Sequence, residues 1–103
     1  MILHTVSFRW REGVTDDDVA ALTDALGEMA TRIPHLRSYV AAPNLRLRPG
    51  GADYGVVAIV DDAAALDAYL DHPAHIAVFK SRIERMLGER TATQLPIETG
   101  SLT

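Results

Sequence analysis

The sequence predicts an α+β fold of the ferredoxin-like kind, β-α-β-β-α-β, with the second helical region split in two. Three observations predict it. Residues 1–10 alternate, with Ile2, His4, Val6, Phe8 and Trp10 on one face and Leu3, Thr5, Ser7 and Arg9 on the other, which is the period of a strand. Val19, Leu22, Leu26, Met29 and Ile33 recur at steps of three and four, the apolar stripe of a helix. Between Asp53 and Val60 both faces are apolar: Tyr54, Val56, Ala58 and Val60 on one, Gly55, Val57 and Ile59 on the other. A strand apolar on both faces is expected to be buried on both. One layer of helices covers one face of a sheet, so the other is expected to meet a second copy, making a homodimer.

The first strand ends at Arg11-Glu12-Gly13, a turn signal. Thr15, with Asp18 three residues on, reads as a capping box, and Asp16, Asp17 and Asp18 suit the positive end of the helix dipole. Pro34 ends that helix. Leu36 to Leu47 reads as a second strand, and Pro43, which has no N–H to give a ladder, assigns it to a sheet edge. Arg48-Pro49-Gly50-Gly51 is a loop from which the third strand, Asp53 to Val60, returns as a hairpin. Asp61 or Asp62 caps a short helix over Ala63 to Tyr69. A longer helix is expected from Pro73 to about Leu87, with Ile76, Phe79, Ile83 and Met86 or Leu87 as its apolar stripe and Gly88 closing it in a left-handed conformation. Thr91 to Ile97 is the last strand, with Ala92, Gln94 and Pro96 on one face; residues 99–103 are expected to fray. Residues 1–98 form a single domain on this reading.

The 103 residues carry no cysteine, so neither a disulfide frame nor a thiolate site is available, which suits a reducing cytoplasm. A net charge of −4 with scattered basic residues speaks against nucleic acid as a partner. No apolar run reaches membrane-spanning length, and no basic stretch followed by an apolar segment opens the chain. No Ser-His-Asp order, P-loop or dinucleotide glycine fingerprint is present.

The chemistry-bearing stretch is Tyr69-Leu70-Asp71-His72-Pro73-Ala74-His75. Pro73 suits the first position of a helix, with His72 or Asp71 at the cap. His75 then lies in the first turn, where the dipole favours the neutral imidazole. It is either a structural hydrogen-bonding histidine or a general base. His4, on the more apolar face of the first strand, is either a satisfied core histidine or a polar wall of a pocket. His72 with His75 and His4 makes a weak metal pattern, and no metal or other cofactor is expected. His35 is expected in an exposed turn and Asp53 to cap the hairpin loop. Arg46 and Arg48 are read as solvated loop cations in preference to a grip on an anionic substrate tail. Trp10 and Phe8 are read as core or interface residues.

Four features together resemble the Dabb family, the stress-responsive dimeric α+β barrel proteins: Ile2-Leu3-His4-Thr5-Val6, the Pro34-X-Leu36 turn, Asp53-Tyr54, and Ala68-Tyr69-Leu70-Asp71-His72-Pro73-Ala74-His75. The resemblance covers residues 1 to about 98. It implies homodimers whose sheets pack face to face into a barrel. One branch, similar to olivetolic acid cyclase, folds a linear poly-β-keto chain by aldol condensation. In that branch a first-strand histidine, the tyrosine before the His-Pro segment and its last histidine line the pocket. These fall on His4, Tyr69 and His75.

Two function classes follow. One is a cofactor-independent cyclase or lyase-type enzyme acting on a small keto or polyketide-like molecule, with His75 removing a proton and Tyr69 polarising the carbonyl. The other is a non-catalytic, stress-responsive dimeric barrel that binds a hydrophobic small molecule or serves a structural stress role. Convergence of His4, Tyr69 and His75 on one cavity favours the first.

Overall fold

A computed structural model describes residues 1–99. Four strands form one antiparallel sheet: β1 (Ile2–Trp10), β2 (Ser38–Pro43), β3 (Tyr54–Val60) and β4 (Leu87–Pro96), in the order β2-β3-β1-β4. β1 is central and runs antiparallel to both β3 and β4, while β2 is an edge strand, as Pro43 requires. With helix α1 (Asp16–Arg32), helix α2 (Ala63–Leu70) and a third helical segment, this is the ferredoxin-like α+β arrangement. The expected tail at 99–103 lies, from Gly100 onward, outside the described residues.

The predicted capping box is present: the Thr15 hydroxyl accepts from the Asp18 N–H, and the Asp18 carboxylate accepts from the Thr15 N–H. Leu22, Leu26, Met29 and Ile33 are buried against one face of the sheet, where Val6, Phe8, Tyr54, Val56 and Ala58 meet them. Phe8, Trp10 and Tyr54 form an aromatic cluster, with Phe8 and Trp10 stacked at 5.3 Å.

Among the described residues the opposite face of the sheet carries no helix. Ile59 is buried there and Val57 half-buried, but Gly55 is open and Val40 and Leu95 are 57% and 50% exposed. Burial on both faces of β3 is therefore partial within one chain.

Three boundaries differ from expectation. β2 stops at Pro43, not Leu47. Residues 44–53 instead form the hairpin loop, tied by Asn44 N–H to the Asp53 carbonyl at 2.9 Å and turned by positive φ at Arg46, Gly50 and Gly51. Leu45 and Leu47 consequently stand in solvent. The third helical segment is not one uniform helix. α3 (Pro73–Val78) continues through a π-helical turn (Phe79–Ile83), whose Glu84 N–H reaches back to the Phe79 carbonyl, into a last α-helical turn, α4 (Glu84–Met86). The extra residue in the π turn changes the facing, so Ile76 is 41% exposed while Ile83 and Met86 are buried. Finally, Gly88 is no left-handed cap. It lies in β4, which begins at Leu87 rather than Thr91, and its backbone crowds β1: a Cβ there would come 3.0 Å from the Arg9 carbonyl oxygen and 3.2 Å from that of Trp10.

Candidate active site

Between the helix-covered face of the sheet and the segment from Tyr69 to Ile83 lies a cavity of about 290 Å³. That is at the small end of the roughly 300–1,000 Å³ typical of small-molecule pockets. Val6, Phe8 and Val56 from the strands, Leu26 from α1, and Phe79 and Ile83 from the π turn make its apolar walls. The wide π turn thus has a local use, since both of its ends contribute a wall. His4, Tyr69 and His75 all line this one cavity, so the three sequence candidates converge.

His75 is held by its neighbours. Pro73 opens α3, and the His72 side chain caps it by accepting the Ala74 N–H on Nδ1 at 3.0 Å. This spends the first free amide of the helix. The His75 Nδ1 then donates to the Leu70 carbonyl oxygen at 2.9 Å, which leaves Nε2 as the basic nitrogen. Burial holds the His75 imidazole below the ordinary histidine value of 6.5; the Leu70 carbonyl opposes that shift and the Arg90 charge adds to it. His75 is therefore neutral at pH 7, the state a general base needs.

Tyr69 is buried at 2% exposure between the two histidines, its ring edge-on to His75 with centroids 5.1 Å apart and to His4 at 6.2 Å. Burial raises its pKa, with Tyr39 and the Arg90 charge pulling part of the way back, so the phenol is protonated and able to donate. Tyr39 packs edge-on to Tyr69 at 6.3 Å, and burial first, then Tyr69, raises its pKa also. His4 sits opposite Gln94 in the β1–β4 ladder, and the Gln94 amide donates to His4 Nδ1 at 2.9 Å. The proton is then on Nε2, which is buried without a partner among the described residues. Burial, then Arg90, then His75 keep His4 neutral as well.

Other candidates fall outside the cavity. His72 is the helix cap, and among the described residues no three His, Cys, Asp or Glu side chains gather as a metal cradle. Asp53 is structural: its carboxylate accepts the Trp10 N–H at 2.7 Å and pairs with Arg46, and the Trp10 bond above all lowers its pKa. Arg46 is thus occupied, and Arg48 lies in the hairpin loop.

Two cavity residues escaped sequence reasoning. Tyr39 lies on an edge strand with no local signal. Arg90 was hidden because β4 begins four residues before the position its alternation suggested; once it is paired opposite Phe8, its side chain falls on the cavity face.

A family model described as the stress-responsive A/B barrel domain, Dabb, matches residues 2–95. An uncharacterized protein of Streptomyces coelicolor is 40% identical over 79 residues, covering 75% of this chain and 81% of that one. The crystal structure of a dimeric ferredoxin-like protein of unknown function from Thermobifida fusca superposes with a TM-score of 0.86 at 38% identity, covering 93% of this chain and 90% of that one. The hydroxynitrile lyase of Passiflora edulis shares the fold at a TM-score of 0.79 and 12% identity, over 94% of this chain and 93% of the other.

Proposed function

The chain belongs to the stress-responsive A/B barrel domain family, Dabb, and from that premise we propose that it is a cofactor-independent cyclase or lyase-type enzyme acting on a small keto or polyketide-like molecule. One observation carries the reading: a neutral His75, its Nδ1 pinned to the Leu70 carbonyl, shares an apolar cavity with the protonated phenol of Tyr69 and the Nε2–H of His4. His75 Nε2 takes a proton from the carbon between two carbonyls, a proton acidic enough for imidazole without a metal. Tyr69 donates to the carbonyl oxygen that gathers the enolate charge. In an aldol closure the enolate carbon bonds to a second carbonyl carbon of the same chain, and the resulting alkoxide recovers the proton from the His75 imidazolium. His4 binds an oxygen of the substrate. That a fold neighbour is a hydroxynitrile lyase supports the reading only in that this scaffold can carry an enzyme.

The enzyme acts as a homodimer in the cytoplasm. The helix-free sheet face with Val40, Val57, Ile59 and Leu95 is the contact surface, a reading supported by neighbours described as dimeric, and the lack of cysteine fits a reducing compartment.

The test is a panel of poly-β-keto acids and thioesters assayed for cyclisation or cleavage with wild type and His75→Ala. Turnover lost in the variant supports the assignment. Equal turnover overturns it, and binding without turnover across the panel leaves a ligand-binding barrel.

A further inference from the structure

The edge of the cavity carries a guanidinium with no carboxylate beside it among the described residues. Arg90 lines the cavity from β4, and its charge acts on His4, Tyr69 and His75 alike. Among the described residues Arg9, Arg32, Arg37 and Arg46 each face a carboxylate, and of the arginines without a carboxylate at salt-bridge distance only Arg90 lines the cavity. The neighbouring Glu89 is on the other face of the strand, paired with Arg9, and no Asp or Glu lines the cavity. Hydrogen-bond character points the same way. Arg90, the unpartnered His4 Nε2–H and the Tyr69 hydroxyl are donors, and His75 Nε2 is the lone imidazole acceptor. A neutral ketone would offer the guanidinium a single uncharged acceptor, no better than the water already at that edge. A carboxylate would meet its planar fork with two parallel hydrogen bonds.

We propose that the ligand of this cavity is a small organic acid, and that Arg90 selects it by binding its carboxylate. The inference rests on the cavity being the ligand site, and does not depend on His75 acting as a base. For the enzyme reading it narrows the substrate to a keto acid whose anionic end lies at Arg90 and whose acidic carbon lies toward His75.

The probes are arylalkanoic acids with three to six methylenes between phenyl ring and carboxylate, and their primary amides as neutral isosteres. Affinity is measured by calorimetric titration, and the location of binding by shifts of the Tyr69 and His75 NMR signals. Wild type should bind the acids at least about tenfold more tightly than the amides, as expected for one charge-assisted pair. Arg90→Gln should abolish that preference while leaving amide binding unchanged, and Arg90→Lys should keep part of it. Arg90 is exposed at the cavity edge, so neither change should disturb folding, which circular dichroism checks. Equal binding of acids and amides by wild type overturns the proposal and leaves the cavity reading standing. An acid preference that survives in Arg90→Gln overturns the role of Arg90. If no probe binds, or if the shifts fall away from Tyr69 and His75, both the proposal and the cavity as ligand site are overturned.

Discussion

Gly88→Ala is a one-methyl test of how β4 is seated, and through it of how the cavity is built. The new Cβ would stand 3.0 Å from the Arg9 carbonyl oxygen, 3.2 Å from the Trp10 carbonyl oxygen and 3.3 Å from the Trp10 carbonyl carbon. All three are backbone atoms of the central strand, at the register irregularity between Arg9 and Trp10, so no side chain can swing aside. Forcing an extra methyl into such a contact costs about 1–3 kcal/mol. The smaller entropy of the unfolded alanine chain returns about 0.4–1 kcal/mol, because Gly88 has no positive φ to defend. Because the colliding atoms are backbone, the upper part of that cost applies, about 2–3 kcal/mol, and the balance is a loss of about 1–2.5 kcal/mol. For a domain of this size that lowers the melting temperature by about 4–20 °C. Urea and thermal unfolding followed by circular dichroism measure it, with Gly27→Ala as control, since nothing lies within 4 Å of a Cβ at that exposed helical position. A Gly88→Ala protein as stable as wild type would show that β4 is not seated against β1 in this way. Leu87 and Arg90, which reach the cavity from the same strand, would then be misplaced too.

The remaining predictions concern the site and the open sheet face. His75→Ala should lower turnover about 10²- to 10⁴-fold with the fold intact, and Tyr69→Phe about 10- to 10³-fold, read from steady-state rates once a substrate is found. The rate should rise with pH through a midpoint below 6.5, since burial lowers the His75 pKa; nitrogen-detected NMR should show the Nδ1–H tautomer. Both cavity histidines titrate lower in the fold than in the unfolded chain. Their contribution to stability is therefore complete above about pH 6.5 and fades as the pH falls through the native values, which acid unfolding of His75→Ala and wild type compares. Gln94→Leu should cost about 1–3 kcal/mol by stripping His4 Nδ1 of its donor, measured by urea unfolding. Val57→Asp should convert a particle of twice the chain mass by light scattering into a monomer, because it buries an unpaired charge in the sheet-to-sheet contact; a wild-type monomer would refute the dimer outright.

Much of this was legible in the residues. The capping box at Thr15, the stripe from Leu22 to Ile33 and the alternation of β1 are local patterns, and each forms where its spacing says. The grouping of His4, Tyr69 and His75 was legible only through the family likeness, since those positions are brought together by the sheet and not by any spacing. What escaped was set by long-range geometry. The π turn has no signature in residues 79–83, and its effect is to expose Ile76, which a uniform helix would bury. Gly88 looked like a helix cap because a glycine after a helical stripe usually is one; the approach of β1 gives it another reason to be there. Arg90 could be assigned to the cavity only once the register against Phe8 was known.

The place of β1 between β3 and β4 has a consequence for biosynthesis. β1, which precedes the other three strands in the chain, is the last to gain both of its neighbours: it can pair with β3 once Val60 has emerged, but the His4–Gln94 bond joins residues 90 positions apart. Such non-local closure is slow, because the loop entropy is lost before the contact repays it. Until Leu87–Pro96 leaves the ribosome, one edge of β1 offers unpaired amides and carbonyls to any passing strand, and the wall that carries Arg90 does not exist. A nascent chain arrested before Leu87 should therefore be protease-sensitive along β1 and unable to hold a ligand, whatever the state of its helices.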